Sequence, residues 1–299
     1  MSDSNSTSSK WSGRPSGIDR RIFLKTALLG SAALSAAPFP VTVHSAVSKA
    51  VRDPFHGLKV GIASYSLRKF SLDQAIAMTR QAGVKYINLK DVHLSLRSMT
   101  AERQEARKKI EAAGLVLMGG GVIYIKNNPE EIRGIFDYAK DAGMPTIVCS
   151  PDPAALDTVE KMAKEYYIRV AIHNHGPGDK LYPSPLDVLR LVKDRDALLG
   201  ICMDVGHTVR IGEDPVAVLE QCAHRLYDLH MKDVTEATAK GAATEVGKGI
   251  IDIVAFLKTL VRQKYSYHVG LEYEANADAP MPGIIESLAY MRGVLAAIE

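Results

Sequence analysis

The feature that most constrains this chain is an alternation of short apolar runs with helical patterns, repeated eight times. The apolar runs, rich in Val, Ile, Leu and Tyr, recur near 58–65, 84–89, 115–122, 145–149, 168–173, 199–204, 226–231 and 267–273. Helical patterns follow them at 72–81, 101–113, 129–142, 154–164, 185–192, 215–222, 251–262 and 282–298. Eight such units in about 250 residues predict an α/β fold, a single (β/α)8 TIM barrel, over residues 57–299.

Residues typical of helix ends support these units. Candidate caps and end residues are Ser71, Thr100, Pro129, Pro185, Pro215, Gly83, Gly114 and Gly143. A doubly wound open sheet is the alternative fold, but residues 63–68 lack the glycines of a phosphate-binding loop after the first strand. Residues 119–121 are three consecutive glycines without the Lys and Ser or Thr of a P-loop, which favours close approach of the backbone to substrate or a tight strand exit.

The first 46 residues have a different composition. A Ser- and Gly-rich start is followed by Arg20-Arg21-Ile22-Phe23-Leu24-Lys25 and a weakly apolar run of small residues. This pattern resembles a twin-arginine export signal, with cleavage near Ser45 or Ala46 and a linker over 47–56. A membrane-anchor helix is the alternative, but Pro38, Pro40 and the many Ala and Ser residues weaken it. We therefore expect a periplasmic or otherwise exported chain that has no membrane segment after signal removal.

Charge and cysteine content narrow the function classes. The formal net charge is +3, and the leader carries five Lys and Arg residues against two Asp residues, so the mature chain is near neutral. Such a balance gives no support for nucleic-acid binding. Three cysteines without a C-x-x-C motif indicate buried free thiols.

Potential metal ligands end four consecutive predicted strands. They lie in the strings Ala171-Ile172-His173-Asn174-His175, Met203-Asp204-Val205-Gly206-His207, Leu229-His230-Met231-Lys232-Asp233 and Leu271-Glu272-Tyr273-Glu274. Because parallel strand ends converge on one mouth of a barrel, His173, Asp204, His230 and Glu272 are predicted to share one divalent ion. Mixed imidazole and carboxylate ligands favour Mn, with Zn, Co, Fe or Mg as alternatives.

These strings resemble those of the xylose isomerase-like barrel superfamily, the sugar phosphate isomerase/epimerase group. The resemblance covers the chain from about Gly57 and rests on Asp204-x-x-His207, His230-x-Lys232-Asp233, Val246-Gly247-Lys248-Gly249 and Leu271-Glu272-Tyr273-Glu274. It implies that Asp204, His230 and Glu272 are metal ligands. At the position where the family commonly has Glu, this sequence has His173. A metal-bound His is a poor proton acceptor, so a symmetrical pair of Glu bases is not expected here.

The remaining mouth residues are assigned by position. The catalytic candidates are Glu272 as base with Lys232, His175 or His207 as acid, and Glu274 competes with Glu272 because it shares the same strand face. Candidate substrate-binding residues are His175, His207, Arg210, Lys90 and His93, with surface or loop contacts as the alternative reading of the last three. Tyr65, Tyr124 and Tyr273 could stack on a sugar, although packing is their commoner use.

Together these features predict an exported, divalent-metal-dependent enzyme that abstracts a proton next to the carbonyl of a free or keto-sugar. Isomerisation, epimerisation and elimination, for example from a 3-keto-glycoside, all begin with that step. Two other classes stay open: an endonuclease IV-like metal phosphodiesterase and a non-catalytic sugar-binding barrel. The expected partner is a small sugar or keto-sugar rather than a nucleic acid, and a homo-oligomer is compatible with the sequence.

Overall fold

A computed structural model describes residues 53–298, and the leader and its predicted export signal lie outside the described residues. The barrel strands are β1 Lys59–Ala63, β2 Tyr86–Leu89, β3 Val116–Ile125, β4 Thr146–Pro151, β5 Arg169–His173, β6 Leu199–Asp204, β7 Leu226–Met231 and β10 His268–Leu271. These eight parallel strands close into a barrel in the order β1-β10-β7-β6-β5-β4-β3-β2. The predicted single TIM barrel is therefore confirmed.

Helices cover the outside of the barrel between the strands. They are α1 Leu72–Gln81, α2 Thr100–Ala112, α3 Pro129–Ala142, α4 Leu156–Tyr166, α5 Pro185–Val192, α6 Val205–Arg210, α7 Pro215–Cys222, α8 Ile253–Arg262 and α9 Met281–Ala296. The short α6 and an antiparallel hairpin of β8 Asp233–Val234 and β9 Ala243–Thr244 were not predicted. Both follow strands that carry site residues, so they belong to the mouth of the barrel.

The helix ends follow the sequence signals with one exception. Ser71 accepts a hydrogen bond from the backbone N–H of Gln74 at 3.3 Å, which satisfies one unpaired donor of the first turn. Pro129 occupies the first turn of α3, where its missing N–H costs nothing. The prediction of Thr100 as a cap is wrong: Met99 is the N-cap, and the Thr100 hydroxyl instead donates to Asp141.

The three consecutive glycines lie inside β3 rather than in a phosphate loop. A Cβ atom on Gly119 would come within 2.6 Å of the Thr146 carbonyl oxygen, and one on Gly121 would clash with β4 in the same way. Pairing between β3 and β4 shifts register between Gly120 and Ile123. The glycines therefore allow β3 and β4 to approach closely, whereas the sequence had suggested close approach to substrate or a tight strand exit.

The packing of the barrel places the site at one end. Ile62, Ile147, Ile172 and Leu229 are fully buried, and the core continues between the strands and the surrounding helices. Polar side chains follow at the carboxyl ends of the strands, where barrel enzymes place their active sites. Across residues 53–298, no helix has the length and apolar character needed to span a bilayer.

Candidate active site

Four consecutive barrel strands deliver the predicted ligands to one point. His173 is the last residue of β5, Asp204 is the last residue of β6, His230 is next to last in β7, and Glu272 directly follows β10. The register of β6 on β7 pairs Asp204 with His230. All four side chains are buried, with at most 7% of the residue surface exposed. The strand ends thus converge as the sequence predicted.

The donor atoms of these four residues converge into one cluster. One ligand atom from each lies within 4.8 Å of the others. Nε2 of His173 and Nδ1 of His230 are 2.9 Å apart, and Nδ1 of His230 is 3.2 Å from Oε2 of Glu272. Oδ2 of Asp204 lies 3.7 Å from Nε2 of His173. These separations are those of donors that surround one ion at bonds of about 2.0–2.2 Å.

The chemistry of the cluster also fits a divalent ion. Oδ2 of Asp204 is fully buried and accepts no aligned hydrogen bond within the described residues. Two imidazole nitrogens and two carboxylate oxygens form a donor set that suits first-row transition metals. Cys202 lies close enough to His173 and His230 to form an alternative group. Burial raises the pKa of the Cys202 thiol well above its usual range, so this thiol is a poor ligand beside the two carboxylates.

Lys232 lies beside the same carboxylate oxygens. Its Nζ is 2.9 Å from Oδ2 of Asp204, 2.8 Å from Oε2 of Glu272 and 3.3 Å from Oε2 of Glu274. Of these three contacts, the one between Nζ of Lys232 and Oδ2 of Asp204 is poorly aligned. It is therefore a short ion pair and does not count as a hydrogen bond to Oδ2. Lys232 is 4% exposed and holds three carboxylates together. Its geometry is that of a positioning residue more than of an acid that meets substrate.

The electrostatics of the cluster keep its carboxylates ionised. Burial alone would raise the pKa of Glu272, but the positive fields of His230 and Lys232 outweigh it and hold that pKa well below its usual range. The pKa of Asp204 is likewise well below its usual range, because His207 and Lys232 overcome its desolvation. A strongly stabilised carboxylate is a good metal ligand and a weak base. Glu272 is therefore better suited to the first role.

The two buried imidazoles of the cluster respond differently to their surroundings. Burial lowers the pKa of His173 to about 3, so this ring is neutral and its lone pair is available to a metal. Burial also opposes the charged form of His230, yet the carboxylates of Glu272, Asp228 and Asp204 raise its pKa above the usual value. Protons and a metal would therefore compete chiefly at His230.

Two side chains that the sequence analysis passed over fix the strand ends. The Asn174 amide accepts a hydrogen bond from the Asp204 backbone N–H at 2.8 Å and donates to the Thr208 hydroxyl at 3.3 Å. Ser66 donates to the Leu271 carbonyl and accepts from the Tyr273 N–H, and so braces the backbone on both sides of Glu272. Asn174 could have been suspected from the string His173-Asn174-His175; Ser66 carries no such signal.

Asp233 explains the distant string at residues 246–249. Its carboxylate accepts backbone hydrogen bonds from Gly247 and Gly249, both at 3.0 Å, and from Ile251 at 3.2 Å. A Cβ atom on Gly249 would lie 2.1 Å from Oδ1 of Asp233, so only glycine fits there. The carboxylate thus ties the loop to the end of β7, next to Lys232.

A cavity of about 340 Å³ opens above the cluster at the barrel mouth, a size that suits a small ligand. Of the predicted substrate-binding residues, His175, His207 and Lys90 line it, together with His173 and Glu272 from the cluster. The other lining residues are Tyr65, Val122, Tyr124 and Glu274. The cavity therefore joins the donor cluster to the solvent past two aromatic side chains.

Two predicted substrate-binding residues lie elsewhere. The His93 ring is 7% exposed and forms hydrogen bonds with Ser64 and the Leu67 carbonyl, so it braces the first turn after β1 from the outside. Arg210 donates to the Ala239 carbonyl at 2.9 Å and thereby fastens the loop between β8 and β9. Neither side chain lines the cavity, and the direct substrate contact expected of both stays a prediction.

His175 is the imidazole nearest to solvent in this cavity. Its Nδ1 lies 3.1 Å from Oδ2 of Asp179, and its Nε2 lies 3.4 Å from the Tyr124 hydroxyl. Burial lowers the pKa of His175 despite the opposing charge of Asp179, so the ring is neutral near pH 7. With Nδ1 toward Asp179, Nε2 is the nitrogen that could take part in proton transfer, where a substrate would replace its contact with the Tyr124 hydroxyl.

Comparisons with known proteins agree with this architecture. A family model described as "Xylose isomerase-like TIM barrel" matches residues 70–294. An inosose dehydratase of Clostridium botulinum is 24% identical over 273 residues, which cover 83% of this chain and 86% of that protein. The crystal structure of 3-keto-D-glucoside 4-epimerase from E. coli superposes with a TM-score of 0.65 at 16% identity, covering 79% of this chain and 99% of that one.

A third similar structure, from Parabacteroides distasonis, has a TM-score of 0.63 at 27% identity and covers 78% of this chain and 98% of that one. The structural likenesses support the barrel, and the family model extends over most of the described strands and helices. This chain belongs to the xylose isomerase-like TIM barrel family.

Proposed function

We propose that this chain is a divalent-metal-dependent enzyme that removes a proton from a carbon next to the carbonyl of a keto-sugar and works outside the cytoplasm. The observation that carries the proposal is the four-donor cluster at the inner end of a cavity lined by two further imidazoles. Similar proteins carry out elimination or epimerisation on sugars, and we propose that this chain catalyses an isomerisation, epimerisation or elimination of the same kind.

The names of two relatives point to one shared step. Inosose is a cyclic ketone, and loss of water from it requires removal of a proton beside the carbonyl. Carbon 4 of a 3-keto-glucoside is also next to the carbonyl, so epimerisation there begins in the same way. A keto-sugar substrate is thus common to both reactions, and the fate of the resulting enediolate distinguishes them.

His173, Asp204, His230 and Glu272 would hold the ion, as the sequence predicted. A bound divalent ion would supply Lewis acidity at the carbonyl oxygen and a neighbouring hydroxyl; we propose Mn, with Zn, Co, Fe or Mg as alternatives. The four residues would hold the ion, while Lys232 keeps the carboxylates of Asp204 and Glu272 ionised and in place.

Proton transfer falls to residues that line the cavity. His175 and His207 both face it, and the neutral His175 ring can accept the proton from the carbon next to the carbonyl. The C–H electron pair moves toward the carbonyl oxygen and forms the enediolate. For elimination, the second imidazole donates a proton to the departing oxygen as its bond to carbon breaks; for epimerisation, it returns a proton to the opposite face. Glu272 remains the competing base.

One experiment tests the proposed chemistry. The full-length chain is stripped with EDTA, reconstituted separately with each of the five metals, and given a panel of keto-sugars in deuterium oxide. Proton NMR should show metal-dependent exchange or loss of the proton beside the carbonyl. Asp204→Asn, which keeps the side-chain volume and removes the charge, should lose metal and exchange together. Full exchange without metal, or in this variant, would contradict the proposal.

Catalytic roles are separated by a second set of variants. His175→Gln and His207→Gln should lower kcat while metal occupancy stays at the wild-type level, because neither is in the donor cluster. Glu272→Gln should lower metal occupancy. If Glu272→Gln retained its metal and still lost turnover while both His variants stayed active, Glu272 would be the base and the imidazole assignment would be wrong.

Export is proposed from residues outside the described part of the structure. The support is the Arg20-Arg21 pair with its weakly apolar run. Cell fractionation of a bacterium expressing the full chain should recover a shortened product outside the cytoplasm, and Arg20→Lys with Arg21→Lys should abolish it. If the wild-type chain and the double Lys variant were exported equally, the twin-arginine assignment would be wrong, and the proposed reaction would be unaffected.

The alternative phosphodiesterase function finds less support. Among residues 53–298, the groups of His, Cys, Asp and Glu close enough to share an ion are two overlapping sets around His173 and His230. Such a cluster suits one ion, whereas a three-zinc site needs a larger set of ligands. A silent sugar-binding barrel would have no need for a buried four-donor cluster.

A further inference from the structure

Tyr124 is an exposed aromatic side chain at the outer edge of the cavity. It lies near the end of β3 between Ile123 and Ile125, which are both buried, so its side chain points to the opposite side of the strand. Tyr124 is 67% exposed, whereas His173 and Glu272 at the inner end of the same cavity are 2% and 7% exposed. The cavity thus runs from the donor cluster outward to the tyrosine ring.

The ring of Tyr124 is held in one orientation. It stacks on the His175 ring with centroids 5.8 Å apart and an interplanar angle of 16°. Its hydroxyl lies 3.4 Å from Nε2 of the same histidine. Two contacts on one side fix the ring and leave it accessible from the cavity, and a pre-ordered aromatic surface loses little conformational entropy when a ligand covers it.

The position of this surface sets the size of ligand that can reach it. The His175 ring centroid is 4.5 Å from that of His173 and 5.8 Å from that of Tyr124, so Tyr124 lies one ring farther out than the donor cluster. A keto-sugar ring bound through its carbonyl at the cluster would occupy the inner cavity. A second ring attached to it would come to lie beside Tyr124.

The other aromatic residue of the cavity is arranged differently. Tyr65 has the Arg68 guanidinium 4.4 Å and the Lys90 ammonium 5.8 Å from its ring centroid. Cations at that ring leave it less available for stacking, and Lys90 is further held by the Val122 carbonyl at 3.2 Å. Tyr124 is therefore the aromatic surface best placed to take a ligand ring.

We propose that Tyr124 forms a subsite for a second ring and that the substrate is accordingly a glycoside rather than a free monosaccharide. The second ring is a sugar or aryl ring, which the reaction either releases or retains. This inference rests on the proposed function for the keto-sugar at the donor cluster. The ring stacks on Tyr124 while the glycosidic oxygen lies between the two parts of the cavity, next to His175.

The test measures binding and turnover separately. Calorimetry on the full-length, metal-reconstituted chain compares methyl β-glucoside with phenyl β-glucoside, which differ only in the second ring. The wild-type chain should bind the phenyl ligand about two- to tenfold more tightly, the range of one aromatic stacking contact. Tyr124→Ala should abolish that preference with little effect on the methyl ligand, and Tyr124→Phe should keep it. Tyr167→Ala, at an 86% exposed position where α4 turns toward β5, is the matched control.

The outcomes separate the subsite from the function. The subsite is overturned if the wild-type chain shows no preference for the phenyl ligand or binds neither glycoside. It is also overturned if Tyr124→Ala weakens the binding of both ligands equally, which would mean that Tyr124 acts only by supporting His175. Turnover is then measured with the corresponding 3-keto-glycosides. A preserved Tyr124-dependent preference without any turnover would overturn the proposed function and leave the glycoside-binding surface standing.

Discussion

Removal of the Lys232 charge should make the stability of this chain depend more strongly on metal. Lys232 pairs with the buried carboxylates of Asp204 and Glu272 at 2.9 and 2.8 Å. Removing one partner from a buried ion pair leaves uncompensated charge and costs about 3–5 kcal/mol. Glu274 adds little to this cost, because its side chain is 32% exposed and solvent screens it. In EDTA, Lys232→Met should therefore lose about 3–5 kcal/mol of its free energy of unfolding.

A divalent ion should recover part of that loss, because it would bring positive charge to the same carboxylates. The Lys232→Met chain should then bind Mn²⁺ at least about tenfold more tightly than the wild type, which corresponds to about 1.4 kcal/mol. At a metal concentration of a hundred times the Kd, binding to the native state adds about 2.7 kcal/mol to the free energy of unfolding. The increase on adding metal should thus be larger in the variant than in the wild type.

Urea unfolding followed by circular dichroism, with EDTA and with a series of Mn²⁺ concentrations, measures both effects. Lys90→Met is the control, since the Lys90 ammonium also lies in the cavity but, within residues 53–298, donates to the Val122 carbonyl at 3.2 Å and pairs with no carboxylate. Lys232→Arg keeps the charge and should stay near the wild type in EDTA. The reasoning is refuted if Lys232→Met is as stable as Lys90→Met in EDTA, or if metal stabilises all the variants equally.

Three further predictions concern the loop, the pH dependence and the metal. Asp233→Ala removes the acceptor of four backbone N–H groups, those of Val234 and Ile251 being buried, and should cost about 2–6 kcal/mol in urea unfolding, since each unsatisfied buried donor costs about 1–3 kcal/mol; a change below the error of the fit would contradict this. Burial lowers the pKa of His93, His173 and His175, so each of these three groups binds fewer protons in the folded than in the unfolded state, against one group, His230, whose pKa is raised; the free energy of unfolding should therefore decrease as the pH falls below 6.5, and constant stability from pH 7 to 5 would argue against it. Asp204→Asn should lower the affinity for Mn²⁺ at least about tenfold by calorimetry, and unchanged affinity would exclude this residue as a ligand.

The fold and the donor cluster followed from the sequence for a physical reason. Strand periodicity fixes which residues share a face, and the barrel brings every strand end to one mouth, so His173 and Glu272 could be placed together without coordinates. Contacts that depend on loop conformation could not be predicted in this way. Arg210 comes only three residues after His207, yet it binds the Ala239 carbonyl of a hairpin that no pattern in the sequence indicated.

Tyr124 illustrates a second limit. Alternation of side chains along β3 predicts which residues face the barrel interior only if β3 keeps one register with β4. The pairing of these two strands shifts between Gly120 and Ile123. A run of glycines signals that the backbone approaches a neighbour closely, but it does not say how many residues the partner strand skips. The exposed position of Tyr124 at the mouth therefore became apparent only in the structure.

His173 stands where the resemblance to the barrel superfamily leads us to expect a glutamate, and this difference changes the charge of the site in a direction that suits the proposed chemistry. The buried groups of the cluster carry two carboxylate charges, from Asp204 and Glu272, and one ammonium charge, from Lys232. With a divalent ion included, these buried groups hold one net positive charge, whereas a third carboxylate at position 173 would cancel it. An enediolate develops negative charge, and fixed positive charge in a buried site stabilises that charge most effectively. Burial lowers the pKa of His173 to about 3, so the ring is neutral. It can therefore offer a lone pair to a metal and carries no extra proton that the enediolate could take up. In the proposed reaction, His173 and Lys232 would act together: His173 lowers the negative charge of the donor set, and Lys232 keeps the carboxylates of Asp204 and Glu272 ionised.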